Sequence, residues 1–228
     1  MNDIVYILKH DVGADELRYS LRSVCENFPF NKIWFYCGCP EGIHPDRHIA
    51  MNQLGISPWQ KVAYTLDKVC RNAEITPDFW LFNDDFFVMH PVEDLPPIYD
   101  KTLHRRIVEL KERHLGDTLY SRQLAKVNDR LMDEGYHTFN YAVHMPMLVN
   151  RKDALMVLHK YSDLPMFRSI YGNVMNVGGI NRPDCKIFRK EDEPTDTDFL
   201  STTETTFRDG KVGAYIRERF PNKCRYED

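Results

Sequence analysis

Long hydrophobic runs are missing from this sequence, and so is a basic leader. Met1-Asn2-Asp3 leads straight into Ile4-Val5-Tyr6-Ile7-Leu8, and no apolar stretch approaches the roughly 20 residues of a membrane span. These absences predict a soluble, cytoplasmic protein with no membrane span. Cysteine pairing is missing too. The six cysteines (Cys25, Cys37, Cys39, Cys70, Cys185 and Cys224) follow no disulfide framework, and Cys37-Gly-Cys39 is too closely spaced for half a zinc knuckle. Such usage fits a reducing compartment. An excess of one charge is also lacking: 30 Lys and Arg against 34 Asp and Glu leave a formal −4, so nothing draws the whole surface to nucleic acid or anionic lipid. What remains is a chain of 228 residues, 43% hydrophobic and 12% aromatic, enough for one α/β domain with an insertion.

Along the chain, Asp3 to Leu8 has the apolar density of a buried parallel strand. Lys9-His10-Asp11 leaves it as a loop. Leu17, Leu21, Val24 and Phe28 recur at three- and four-residue spacing, predicting a helix that Asp15 can cap and Pro29 ends. Lys32 to Cys37 is the next strand. The opening therefore reads β-α-β, which places His10-Asp11 and Cys37-Gly38 at one rim, beyond the carboxyl ends of the strands. Residues 40–58 read as an irregular connection, and about 59–72 as a helix leading to the next strand. From 101 to 130 the chain is helical with a break near Gly116, and its basic residues exceed its acidic ones by four, eight minus four. That excess marks either a solvated helix face or an acceptor-side flap. Phe139 to Pro146 is strand-like, 151–161 helical, 189–198 an acidic surface loop, and about 213–220 a short terminal helix.

The stretch Pro77 to Pro91 carries the strongest signal. Apolar runs at Phe79–Phe82 and Phe86–Met89 flank Asn83-Asp84-Asp85, and two adjacent carboxylates cannot both be desolvated without a compensating cation. The triplet marks either a metal site at a strand end or an acidic turn joining two hairpin strands. As D-x-D does in nucleotide-sugar transferases of the GT-A type, Asn83-Asp84-Asp85 could hold Mg2+ or Mn2+ against a donor diphosphate.

Several blocks then align with one family. Asp3-Ile4-Val5-Tyr6, Asp15 to Ser23 (D-E-L-R-Y-S-L-R-S) and Phe82-Asn83-Asp84-Asp85-Phe86-Phe87 resemble successive blocks of the Stealth family of sugar-phosphate transferases, and His144-Met145-Pro146 and Phe167-Arg168-Ser169 resemble parts of its third block. The match covers about half the chain. It departs after the first strand, where Leu8-Lys9-His10-Asp11 stands in place of W-V-D-G, and in the last block, represented only by Phe199 to Glu204. The chain is also similar to short phage and bacterial glycosyltransferases, which places it in a bacterial or phage-infected cytoplasm.

The resemblance implies a single GT-A-like (Rossmann-like) α/β domain with a mostly parallel central sheet and a helical insertion: 1–97 as the nucleotide-sugar half, 98–136 as the insertion, and 137–228 as the acceptor half. It implies Mn2+ or Mg2+ on Asp85 and Asp84, a nucleotide-sugar donor (a UDP-sugar foremost), and a hydroxyl acceptor on a glycan or phosphorylated polymer. His144 would be the base for the acceptor hydroxyl or a metal ligand, imidazole being suited to proton transfer near neutrality, and otherwise a structural residue. Arg168 would grip phosphate oxygens or form a surface ion pair. Asp11 and Asn83 would meet the donor. Arg18 and Arg22, four apart on one helix face, would touch it too or pair with acids such as Glu26. Asp67 stands where the family carries a glutamate. A non-catalytic nucleotide- or carbohydrate-binding module stays open as an alternative, as does a nucleic-acid acceptor held by the basic 101–130 segment.

Overall fold

The structure is a computed structural model that describes residues 1–113 and 116–228. The chain opens with strand β1 (Asp3–Leu8), helix α1 (Ala14–Asn27), strands β2 (Ile33–Cys37) and β3 (Arg47–Ile49), helix α2 (Pro58–Arg71) and strand β4 (Asp78–Phe82). β1 lies between β2 and β4, parallel to both, with Tyr6 opposite Phe35 on one side and Phe82 on the other. β3 joins the outer side of β2 in parallel, so the connection expected to be irregular contains an exposed edge strand. The period-two alternation of β1 divides the core. Ile4, Tyr6 and Leu8 pack with Leu17, Leu21 and Val24 of α1, whereas Val5 packs with Leu66 and Val69 of α2. Both faces of the sheet are covered, which is why β1 and β2 read as unbroken apolar runs.

Helix ends follow local chemistry. Gly13, not Asp15, occupies the N-cap of α1; Asp15 and Glu16 fall in the first turn, where carboxylates face the positive end of the helix dipole. α2 starts at Pro58, and the Ser57 side chain accepts from Gln60 N.

The second half contains strands β5 (Phe86–Val88) and β6 (Ile98–Tyr99), helices α3 (Leu103–Glu112) and α4 (Leu119–Asp133), strand β7 (Met147–Asn150), and helices α5 (Arg151–Lys160) and α6 (Phe167–Val174). Strands β8 (Ile180–Asn181) and β9 (Phe199–Ser201) and helices α7 (Glu204–Asp209) and α8 (Lys211–Arg219) complete it. β7 pairs antiparallel with β4 and closes the main sheet, ordered β3-β2-β1-β4-β7. The fold is thus mixed α/β with a mostly parallel central sheet. The expected helical run over 101–130 becomes two helices capped by Thr102 and Thr118; residues 114 and 115 of that run lie outside the described residues. No helix among the described residues is long and apolar enough to cross a membrane.

Two differences from the sequence reading bear on the site. β4 and β5 do not form a hairpin, because β5 leaves the main sheet and pairs antiparallel with β9, Phe86 opposite Ser201. Asn83-Asp84-Asp85 is therefore a crossing between two sheets. The strand expected at 139–146 begins only at Met147, since side chains satisfy the earlier backbone: Asn173 Oδ1 accepts from Phe139 N, Ser169 Oγ from Tyr141 N and Asp184 Oδ1 from His144 N.

Candidate active site

The carboxyl ends of β1 and β4 lie side by side, so the loop after Leu8 and the triplet after Phe82 emerge at one rim. Gly38, after β2, belongs to that rim as well. A Cβ there would come within 1.8 Å of Lys9 O, so only glycine allows the two loops to touch. A cleft of about 710 Å3 opens beside this rim. Its carboxylates are Asp11, Asp15, Glu16, Asp84, Asp85 and Glu204, and its cations are Lys9, Lys186, Arg208 and Arg217. Six acids against four bases leave the wall negative by two, so a dianionic ligand needs further positive charge to enter.

Asp84 and Asp85 are the most constrained of these groups. Burial, followed by the neighbouring Asp85 charge, raises the Asp84 pKa against partial relief from its own backbone, Lys9 and Lys186. Asp85 is held differently. Its Oδ2 accepts from Lys186 Nζ at 2.7 Å and from Ser201 Oγ at 3.3 Å, while its Oδ1 is buried without a partner. Glu16, in the first turn of α1, accepts from Thr202 Oγ1 at 2.6 Å, and burial together with Asp84 and Asp85 raises its pKa.

Those features fit a divalent cation of a particular kind. Among the described residues no group of three or more His, Cys, Asp or Glu could hold a metal ion, so the protein offers no closed cage. It does offer two adjacent carboxylates, one with an unsatisfied buried oxygen. Mg2+-type ions are commonly held in this way, by one or two carboxylates with water and substrate phosphates completing the shell.

His144 does not line this cleft; it is joined to the site through Asp184 and Phe86. Its Nδ1 donates to Asp184 Oδ2 at 2.7 Å and its backbone N to Asp184 Oδ1 at 2.9 Å, with the two side chains 29% and 23% exposed. Burial works against the Asp184 carboxylate, but the bonds and charge of His144 outweigh it and hold its pKa below the usual value. In the neutral ring, donation from Nδ1 leaves the lone pair on Nε2. The His144 ring meets Phe86 edge-on at 6.3 Å between centroids, and the Arg168 guanidinium lies over the same Phe86 ring at 5.3 Å. Asp184-Cys185-Lys186 joins the two clusters, since Asp184 fixes His144 and Lys186, two residues later, fixes Asp85. Neither Asp184 nor Lys186 carries a motif; their contacts span 40 and 101 residues, which no local pattern reports.

Other expected site residues fall elsewhere. Asp11 lines the cleft. Asn83 is exposed and is not part of the cleft wall; its carbonyl accepts from Phe86 N to close the crossing turn. Arg168 forms no ion pair among the described residues: Nη1 donates to Met145 O at 2.6 Å and Nη2 to Leu81 O at 3.1 Å, bracing β4 against the segment before β7. Desolvation pushes its pKa down to about 10. To grip a phosphate it would have to release both carbonyls, so the brace replaces the expected phosphate clamp. Arg22 is removed from the donor set as well. It forms a two-pronged pair with Glu227, both bonds 2.7 Å, and also donates to Phe220 O, fastening the C-terminal tail to α1. Arg18 is turned towards Gly42, outside the cleft wall, and Glu26 pairs with Arg219 instead. Asp67 is bonded to Arg71 and His159 on the α2–α5 surface.

No protein-family model matches the sequence, and no curated protein matches it. Solved structures do match. The galactosyltransferase LgtC, crystallised with donor and acceptor sugar analogues, superposes with a TM-score of 0.50 at 14% identity over 97% of this chain and 96% of that one. An active-site mutant of LgtC gives 0.44 at 16% identity over 82% and 75%. Mouse xyloside xylosyltransferase 1 in its apo form gives 0.37 at 11% identity over 99% and 96%. The mixed sheet, its strand directions and the superposition on LgtC agree on the architecture: the chain has a GT-A-like α/β fold.

Proposed function

We propose that the protein is a cation-assisted transferase that moves a glycosyl or sugar-phosphate group from a nucleotide sugar, a UDP-sugar foremost, to a hydroxyl acceptor. One observation carries this reading: an acidic pair at the carboxyl end of a central strand, facing a cleft, with the unpartnered buried Oδ1 of Asp85. LgtC was crystallised with donor and acceptor sugar analogues, and its likeness in fold lends support. The Stealth resemblance points to the same donor class.

In this reading the nucleoside lies along Lys9, Asp11 and the first turn of α1, with its diphosphate towards Asp84, Asp85 and Lys186. A Mg2+ or Mn2+ ion held by Asp84 and Asp85 would neutralise charge developing on the leaving diphosphate. Lys186 adds a fixed ammonium on that side. Outside the cleft lining but tied to it through Asp184 and Phe86, His144 would take the proton of the acceptor hydroxyl at Nε2 while Asp184 holds the ring by Nδ1 and stabilises the imidazolium formed. The brace at Arg168 keeps Phe86, and with it the spacing of the two clusters, in place. The insertion supplies the acceptor side: Tyr120 lies within electrostatic reach of Asp100 and Asp184, and Arg106 of Asp100.

A thermal-shift panel of nucleotides and nucleotide sugars, with Mn2+ and with chelator, tests the reading. Stabilisation by one base series that requires the cation is the expected result. A panel in which no nucleotide stabilises the protein under either condition would overturn it.

A further inference from the structure

The carboxylate that the proposed function gives to a cation already has a lysine partner. Lys186 Nζ sits 2.7 Å from Asp85 Oδ2, and the two side chains are only 15% and 16% exposed. Ser201 Oγ shares that oxygen at 3.3 Å. The cleft therefore already holds one positive charge on the very carboxylate that the proposed function gives to a metal. A divalent cation approaching Asp85 alone meets an ammonium on the same carboxylate, and the two cations repel. Asp85 Oδ1 is buried without a hydrogen-bond partner, and Oδ2 is occupied by Lys186 and Ser201.

We infer that Lys186 is a resident counter-ion of Asp85 that the donor diphosphate draws away, so that cation and donor bind cooperatively and the cation alone binds weakly. The diphosphate oxygens offer the ammonium an equally good partner a short side-chain swing away. Once Lys186 has moved to them, Asp85 Oδ2 is freed for the cation. Because coupling between two ligands is reciprocal, the cation must then raise donor affinity by the factor by which the donor raises cation affinity. Other charges at the site do not substitute for this. Lys9 relieves Asp84, and Arg168 is tied to two carbonyls. Glu16 adds negative charge that favours a cation, yet it bonds Thr202 rather than Lys186. The inference rests on reading the cleft as a diphosphate site.

The test is Mn2+ binding, followed by the electron-spin signal of free Mn2+, with and without saturating UDP, in the wild type, Lys186→Met and Lys186→Arg. Lys186→Met should take up Mn2+ alone about tenfold or more tightly than the wild type, the scale of one charge-assisted bond. UDP should then raise Mn2+ affinity less in that variant than in the wild type, while Lys186→Arg keeps the wild-type pattern. Equal or weaker Mn2+ binding by Lys186→Met, with Mn2+ and UDP still binding together to the wild type, would overturn the counter-ion role and leave the diphosphate reading standing. A wild type that binds neither UDP nor Mn2+ would overturn both. Melting curves establish that each variant is folded, and Lys186→Gln replaces Lys186→Met if that variant does not fold.

Discussion

Replacing Asp184 with asparagine separates a chemical role for His144 from a structural one. Two bonds converge on this carboxylate, from His144 N at 2.9 Å and from Nδ1 at 2.7 Å. An amide keeps one acceptor oxygen. If that oxygen stays on the backbone N–H, the amide NH2 faces Nδ1 and forces the proton to Nε2, where a base needs a lone pair. Turnover should fall roughly 10²- to 10⁴-fold, the range for losing a positioned base or its tautomer. Loss of one charge-assisted bond should also cost about 1.5 kcal/mol, and a chain of this length then melts roughly 3–6 °C lower. The pH dependence has a defined sign. Because the folded pKa of Asp184 lies below its ordinary 3.8, its contribution is complete above that value and is lost as pH falls through the folded pKa. The gap in melting temperature between wild type and variant should be steady at neutral pH and close in acid. Initial rates of donor consumption with acceptor, alongside melting scans across pH, provide the data. A variant that melts lower yet turns over at the wild-type rate would refute the assignment of Nε2 as base.

Asp84→Asn should raise the melting temperature of the ligand-free protein at pH 7 by roughly 2–4 °C, about 1 kcal/mol. A carboxylate with a raised folded pKa favours the fold below its unfolded value of 3.8 and loses that contribution as pH rises, so the gain should vanish in acid; a lower melting temperature at pH 7 would contradict the repulsion described. Arg22→Ala leaves Glu227, whose side chain is 1% exposed, without its partner and should destabilise the protein by about 3–5 kcal/mol. Its affinity for nucleotide, measured by calorimetry well below the melting point, should be unchanged; a selective loss of affinity would return Arg22 to the donor site. Neutralising Arg105, Arg106 and Arg113 together should raise the acceptor KM at low salt, less at high salt, and leave donor affinity alone. An equal fall in donor affinity would assign the insertion to the nucleotide side.

The β-α-β opening was legible because its strands are buried on both faces and its helix repeats Leu17, Leu21 and Val24 on one side. The acidic triplet was legible for the same reason: two carboxylates after a buried aromatic strand break the pattern of a core. The pairing of the next strand was not. Phe86 to Val88 has the composition of a hairpin partner, and its true partner, Phe199 to Ser201, lies 111 or more residues further on, where nothing local announces a strand. The site beyond the triplet was hidden in the same way. Arg22 and Arg168 look like ligand-binding arginines in the sequence because their charge is visible there, whereas Glu227 and the carbonyls of Leu81 and Met145 that occupy them are known only once the chain is folded. Asp184 and Lys186 sit in a Pro-Asp-Cys-Lys run that matches no motif, and they gain their roles from the residues across from them.

The most direct measurement of the central claim is donor hydrolysis by the wild type, Asp84→Asn and Asp85→Asn, each with Mn2+ and with chelator, using the nucleotide sugar that stabilises the protein best. Asparagine keeps an acceptor for Lys186 and Ser201, so the folds should survive. The account predicts cation-dependent hydrolysis by the wild type and a loss of about 10²-fold or more in each variant. Hydrolysis that persists in chelator and in both variants would contradict it.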